Sequence, residues 1–450
     1  MTTTLVENAV CDESQAHEFH TISTSHLRIG TRLRVPIYDE SDVLLIARGQ
    51  IVTPVFLEKL RMRRIGCVKV HQSELPRVFA GSPQGNGTNV AGERGGTIVP
   101  IENAASTALD TLVKRGGHLG LPPQGDPVAN SLIHRGATAY DDGALERLVD
   151  RQEQALNQAD DIHRAMMDGR GLDTDSLGQI ADEALHDLTE DFDLFNCLGV
   201  NPHSDRYPVR HSVHVSMLAM GIGTKLNLDR TTLKELSMGC LIHDAGMLRI
   251  NPDLYSSPAP LNRVEFLDVT KHPVIVFDMM KNMEKISSRA AFVAYQIHER
   301  CNGEGYPRKR NGSQIHFLSK LAGIADAYIA LVSPRPHRPG MLPYKAVEWM
   351  LAGVNSGLFD PVAMRALLQT ISLFPIGSFV ELSDNRVGKV IRANGDAYHR
   401  PVISAWKKGA THLLPDVVDL KDQTDVSIVR PLPNLDEFAP SLDDADYSWE

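Results

Sequence analysis

From His211 to Asp326 a histidine or an aspartate recurs at intervals of about 26 to 32 residues, and each one ends an apolar helical stripe, opens a helix or lies inside an apolar run. His211 shares a helical repeat with Val215, Leu218 and Ile222. Leu233, Leu236, Cys240 and Leu241 lead into the pair His243-Asp244, just before Gly246. His272 precedes Pro273 at the opening of another helix. Ile286, Ala290, Val293, Ala294 and Ile297 lead into His298, and Asp326 is embedded in the apolar run Leu321–Leu331. Such an interval is one helix and one turn, so the spacing predicts a helical bundle that aims all six polar side chains at one centre. Each of them taken singly reads more simply as a capping, surface or core residue. Together they would bury more charge than a core tolerates without compensation. Divalent cations would supply it, with imidazoles as ligands and a carboxylate able to bridge two ions. Histidine and carboxylate without thiolate suit Mn, Fe or Zn in a hydrolytic site.

The flanking sequence is of other kinds. Residues 1–25 show no usable periodicity and are expected to be disordered. Residues 26–74 read as a small α/β module: Arg32–Tyr38 and Val43–Ala47 alternate as strands, Thr53-Pro54 opens a helix that runs to Gly66, and Cys67–Val70 returns as a strand. Residues 75–140 are rich in Gly, Pro, Ser and Asn, the composition of a flexible linker. Helical patterning resumes in a connector over 141–194 and continues through a helical domain over 195–370. After it, Ser378–Leu382, Gly388–Arg392, Pro401–Trp406 and Val426–Val429 read as strands of a small β unit over 371–430. The tail 431–450 is acidic: from Asp436 to Glu450 it carries six acids and no base.

A length of 450 residues suggests two or three folded units. The formal charge of −10 argues against a nucleic-acid polymer as partner. No apolar run reaches the roughly 18 residues of a membrane span. Five cysteines, far apart and without CxxC spacing, read as reduced thiols of a cytoplasmic protein.

The order His…His-Asp…His…His…Asp, with the run His298-Glu-Arg-Cys-Asn-Gly-Glu-Gly-Tyr-Pro307, resembles the HD-GYP family, a bacterial branch of the HD phosphohydrolases. The similarity extends over Ser333–Arg338, Gly357–Pro361 and Phe374–Ser378, and covers roughly 195–430. Residues 26–74 also resemble a module found ahead of some HD-GYP domains. The resemblance implies a mainly α fold: an HD-type helical bundle with a small N-terminal α/β unit and a small C-terminal antiparallel β unit. It implies a phosphodiesterase that opens cyclic di-GMP, a cyclic dinucleotide, to pGpG or GMP in bacterial second-messenger signalling, using iron or manganese.

Carried over residue by residue, His211, His243, Asp244 and Asp326 match ligands of a first metal, with Asp244 bridging, and His272 and His298 match ligands of a second. His243 and Asp244 are thereby the catalytic pair. Arg335, Arg338 and Tyr306 match residues that face the substrate. The departures are equally specific. His243-Asp-Ala-Gly-Met247 stands where HDIGK is usual, so a phosphate-facing Lys is absent. Ile297 stands where a further second-metal His is usual, which weakens that site to one or two ions in all. Asn302, Ile329 and His337 replace Asp, Asp and Tyr, and Tyr207 stands where three-metal members carry a Glu. A degenerate domain that binds nucleotide or protein without turnover is therefore the alternative, and a hydrolase of another phosphoester is a third reading. Residues 26–74 offer a surface for a signalling-protein partner, and a homo-oligomer is compatible with the sequence.

Overall fold

The computed structural model describes residues 125–433 apart from 171–173, 202–204, 282–285 and 408–414. Before them it describes 19–24, 31–39, 44–46, 50–53, 67–71 and isolated residues from 27 to 74. The chain divides into two compact units, 1–96 and 97–450.

The first unit is a four-stranded antiparallel sheet of β1 (Phe19–Ser23), β2 (Ile37–Tyr38), β3 (Leu44–Ile46) and β4 (Cys67–His71), in the order β1-β4-β2-β3. Its core is Leu33, Ile37, Val52, Leu60, Val68 and Val70. Thr53 Oγ1 accepts from the Phe56 N–H at 3.1 Å, the contact expected of a helix cap; most of the helix predicted after it lies outside the described residues. One expectation is corrected. Phe19–Ser23, placed in a disordered terminus by the sequence, pairs along its whole length with β4, from Phe19 opposite His71 to Ser23 opposite Cys67. Five residues carry too little alternation to be read alone, and the strand exists because a partner more than forty residues away completes it.

The second unit begins earlier than the linker composition suggests. Of the predicted linker, 75–124 lies outside the described residues. In 125–140, Val128 is buried, its N–H bonds the Leu228 carbonyl, and Tyr140 packs on the bundle core. Gly- and Pro-rich sequence here traces irregular backbone pinned to a surface. The helices α1 (Asp142–Met167) and α2 (Thr174–Glu190), expected as a connector, bury Leu148, Leu156, Leu177, Leu185 and Leu188 in the same core.

Around them lie α3 (Phe192–Gly199), α4 (Val209–Lys225) and α5 (Arg230–Ile242), followed by a 3-10 turn over Ala245–Arg249. Next come α6 (Asp253–Ser256), α7 (Arg263–Val269), α8 (His272–Met280), α9 (Ser288–Gln296), α10 (Phe317–Val332), α11 (Pro343–Asn355) and α12 (Pro361–Ile371). The aspartates 141, 191, 229 and 360 and Ser287 cap α1, α3, α5, α12 and α9 through their side chains. Helix α4 is buried almost all round from His211 to Thr224, as an axial helix must be; α5, α10 and α12 pack on it.

A five-stranded antiparallel sheet closes the unit: β5 (Phe379–Leu382), β6 (Arg386–Arg392), β7 (Val402–Lys407), β8 (Asp416–Asp419) and β9 (Ile428–Leu432), in the order β8-β7-β6-β5-β9. The short edge strand β8 escaped the sequence reading, and β9 runs two residues into the predicted acidic tail. Arg392 of β6 fastens this sheet to the bundle. Its guanidinium makes a two-pronged pair with Asp191 (2.9 and 3.0 Å), donates to the Thr138 carbonyl (2.7 Å) and lies 5.0 Å over the Tyr140 ring.

Candidate metal centre

The six polar residues arrive from separate elements. His211 is in the first turn of α4. Helix α5 ends at Ile242, so His243 and Asp244 occupy the turn between it and the 3-10 segment. His272 opens α8, His298 lies just beyond α9, and Asp326 is in the middle of α10. All six are at least nine-tenths buried. Close backbone approach brings the turns together. A Cβ on Gly246 would sit 2.4 Å from the His272 carbonyl, so only glycine lets the turn after Asp244 press onto the start of α8.

His211 Nε2 lies 3.1 Å from Asp326 Oδ1, and His298 Nδ1 lies 3.2 Å from Asp326 Oδ2. The Nε2 atoms of His272, His243 and His298 all face Asp244 Oδ1, at 3.2, 3.4 and 3.7 Å. One ligand atom from each of His211, His243 and Asp326 lies within 4.8 Å of the other two, and the same holds for His243, Asp244 and His298.

The ring orientations reveal what these groups await. His243 Nδ1 is 2.7 Å from the Cys240 carbonyl and His272 Nδ1 is 2.8 Å from the Val269 carbonyl. A carbonyl only accepts, so each Nδ1 carries the proton and each Nε2 presents a lone pair. Those lone pairs point at a carboxylate oxygen. Buried Nε2 of His243, His272 and His298 and Oδ1 of Asp244 have no hydrogen-bond partner among the described residues. The Nε2 lone pairs of His243 and His272 facing a carboxylate oxygen form a ligand set that His298 Nε2 completes when its ring is neutral, and the backbone carbonyls behind His243 and His272 fix their orientation as outer partners of a metal do.

Electrostatics agree. Burial pushes His243 down, and burial together with the neighbouring His298 pushes His272 down to about 3, which keeps both neutral. Burial alone would raise Asp244 and Asp326, but His243 beside the first and His298 beside the second hold both well below the usual carboxylate range. Burial would lower His298, yet Asp326 and Asp244 on its two sides lift it to about 9, so the two carboxylates favour a positive charge at this point, either a proton on the ring or a cation beside it.

The surrounding loop is built around His298. Tyr306 stacks on its imidazole, centroids 4.8 Å apart and planes 17° from parallel. Glu299 fixes that loop by accepting the backbone N–H groups of Arg308 and Arg310, each at 2.8 Å. A Cβ on Gly305 would meet the Arg300 nitrogen at 2.3 Å, so the loop can fold this tightly onto His298 only with glycine there.

Arg335 and Arg338, expected together at the substrate, part company. Arg335 lies 4.5 Å over the Tyr207 ring and lines a cavity of about 230 Å³ beside His211. Arg338 instead donates to the carbonyls of Ala330, Leu331 and Ser333. The end of α10 leaves carbonyls unsatisfied and partly negative, and this cation caps them. Sequence reasoning took the two arginines as a pair and missed the cap.

Other departures fit their surroundings. Met247 and Ile297 are buried, 2% and 0% exposed, and Ile297 belongs to the continuous apolar core. Ile329 is buried as well, while Asn302 folds onto Glu304 in a local turn. Tyr207 has a role that its side-chain chemistry alone did not announce: its hydroxyl donates to Asp244 Oδ2 at 3.1 Å. One carboxylate oxygen is thereby held, and the other is left to the three histidines. Arg300, also unremarked in the sequence, reaches Asp326 Oδ2 at 3.5 Å.

A larger open groove, about 630 Å³, runs along α2 and α5 past Asp175, Asp182, Glu183 and Lys234, and none of the six residues lines it. Among the described residues no helix is long and apolar enough to cross a membrane.

Comparison with known proteins places this centre. Residues 200–362 match the family model of the HD domain, so this stretch is an HD domain. A cyclic di-GMP phosphodiesterase of Pseudomonas aeruginosa is 28% identical over 56% of this chain and 61% of its own length. A cyclic di-GMP phosphodiesterase of Borreliella burgdorferi is 24% identical over 51% of this chain and 58% of its own. The match thus spans about three-fifths of each relative. A solved structure described as an HDG"Y"P protein from Bdellovibrio bacteriovorus aligns over 78% of this chain and 98% of its own, with a TM-score of 0.43 and 16% identity.

Proposed function

We propose that the HD domain of this chain is a metal-dependent phosphodiesterase that hydrolyses a cyclic dinucleotide, cyclic di-GMP first among them. One observation carries the reading: the Nε2 atoms of His243, His272 and His298, none of them hydrogen-bonded, converge on the unpartnered Oδ1 of Asp244. The relatives' activities point to the same substrate class. The all-nitrogen-and-oxygen ligand set, in a buried pocket, fits Fe or Mn.

His211, His243, Asp244 and Asp326 would hold one ion, and Asp244, His272 and His298 a second. Bound divalent ions supply Lewis-acid chemistry, making water nucleophilic near neutral pH and drawing charge from phosphate oxygens. The chain's own groups do the rest. Tyr207 orients Asp244, the stacked Tyr306 fixes the plane of His298, and Arg335 offers a charge to a phosphate oxygen. Asp326, anchored by His211 and His298, keeps both rings in register.

A second reading, a domain that binds without turnover, draws on Met247 and Ile297, both buried and uncharged, the second of them within the apolar core. Turnover of cyclic di-GMP by protein stripped of metal and then reconstituted with Mn or, under anaerobic conditions, Fe separates the two. Restored production of linear dinucleotide supports the enzyme, and tight cyclic di-GMP binding without product supports the binding module.

A further inference from the structure

Helix α1 lies outside the stretch matched to the HD domain, yet its last turn reaches the metal centre. Its buried stripe is made of Leu148, Leu156, Ala159, Ile162 and Met166, and the one polar member is His163, fully buried. His163 Nε2 lies 2.7 Å from the Leu241 carbonyl, which only accepts, so the ring proton is on Nε2. Nδ1 is buried without a hydrogen-bond partner among the described residues, and burial pushes the ring's pKa down, which keeps it neutral. A leucine or methionine would fill the same stripe without stranding a ring nitrogen. What the histidine adds is one N–H, aimed at one carbonyl.

That carbonyl decides where a helix stops. Helix α5 ends at Ile242, which leaves the carbonyls of its last turn without following helical N–H groups. Two of them are met by imidazoles: His243 Nδ1–H donates to Cys240 and His163 Nε2–H donates to Leu241. The helical competitor for the Leu241 carbonyl is the Ala245 N–H, four residues on, and that bond would wind α5 onward through Asp244. Asp244 instead holds φ −96° and ψ 2°, outside the helical region, and from there its Oδ1 faces the three histidines. The far end of the segment is tied to the same helix. Arg249, the last residue of the 3-10 turn, donates to the carbonyl of Met167, the last residue of α1, at 2.9 Å. Both ends of Leu241–Arg249 are thus pinned to the last turn of α1.

We infer that His163 is a positioning residue of the metal centre: by holding the Leu241 carbonyl it ends α5 where His243 and Asp244 can face the other ligands. The inference rests on the metal-dependent reading above and adds to it a group from outside the HD match. Helix α1 is then a working part of the centre.

Titration of the full-length, metal-stripped protein with Mn, with free Mn followed by its paramagnetic resonance, tests it in wild type, His163→Leu, His163→Asn and His163→Gln. His163→Leu fills the space without a donor and should weaken Mn binding by about 10- to 100-fold, the cost of losing an outer partner of a metal site. His163→Gln carries an amide N–H to about the same reach and should restore most of that affinity. His163→Asn is polar but too short, and should bind as weakly as His163→Leu. A packing role predicts no such division between the two amides, and they decide alone if His163→Leu loses its native circular dichroism. Wild-type Mn affinity in His163→Leu or His163→Asn, or equal affinity in the two amide variants, overturns the positioning role while leaving the metal centre intact. A wild type that takes up no Mn overturns the metal centre and the positioning role with it.

Discussion

His272 Nε2 and Asp244 Oδ1 stand 3.2 Å apart, both buried, and neither is hydrogen-bonded. The imidazole proton is committed to the Val269 carbonyl on the opposite side of the ring, so two lone pairs face each other across that gap. A cation between them would turn that repulsion into coordination, and several consequences can be measured.

Metal binding should stabilise the fold. A ligand present at about a hundred times its dissociation constant adds roughly 2.7 kcal/mol, which for a unit of this size raises Tm by about 4 °C. Thermal melts with Mn and with a chelator should differ by that amount. Asp244→Ala should remove the difference, because it deletes the atom on which the three histidines converge. An equal response to Mn in that variant would place the metal elsewhere.

Glu299 is expected to matter without touching substrate. Its two carboxylate oxygens hold the backbone of the loop that stacks Tyr306 on His298. Glu299→Ala should lower metal affinity or turnover by about 10- to 100-fold, the usual cost of losing an outer partner of a metal ligand. Its circular dichroism should stay native. Full metal affinity and full turnover in the variant would show that the loop holds itself.

The attachment of the C-terminal sheet rests on Arg392. Replacing it with Met leaves Asp191 buried and uncompensated and should cost roughly 3–5 kcal/mol in urea unfolding. Arg392→Met combined with Asp191→Asn should lose less than the single variant, because no orphan charge remains. Equal losses in the two would mean that packing rather than charge dominates here.

The legibility of these features in the sequence was uneven, for physical reasons. The helical bundle and its six inward residues could be read because a 3.6-residue repeat is local, and because a His or Asp interrupting an apolar stripe is conspicuous. Strands β1 and β8 could not, since five and four residues carry almost no period and their existence depends on a distant partner. Arg335 and Arg338 look alike in a Pro-rich turn, and only the direction of the α10 carbonyls separates a pocket cation from a helix cap. The stacking of Tyr306 and the hydroxyl of Tyr207 on Asp244 are contacts between loops, which no spacing rule encodes.

Asp193 gives a pH signature away from the metal. Burial raises its folded-state value to about 6, against the pull of the Ala393 N–H, Arg392 and Lys225. The folded state therefore binds this proton more tightly than the unfolded chain, whose carboxyl titrates near 3.9. Its contribution to stability must fall as pH rises from about 4 to about 6 and stay low above that. Asp193→Asn lacks the penalty, so its stability relative to wild type should grow across that window and then level off. Chelated samples unfolded in urea at several pH values give the comparison. A constant offset would show that Asp193 titrates normally.

The most direct test of the metal centre is metal analysis of anaerobically purified protein, with cyclic di-GMP turnover measured on the same samples, for wild type, His243→Ala and Asp244→Asn. Wild type should carry at least one equivalent of iron or manganese and release linear dinucleotide, and both variants should lose metal and turnover together. Undiminished turnover in either variant, or a wild type that acquires no divalent metal under any loading condition, would contradict the account.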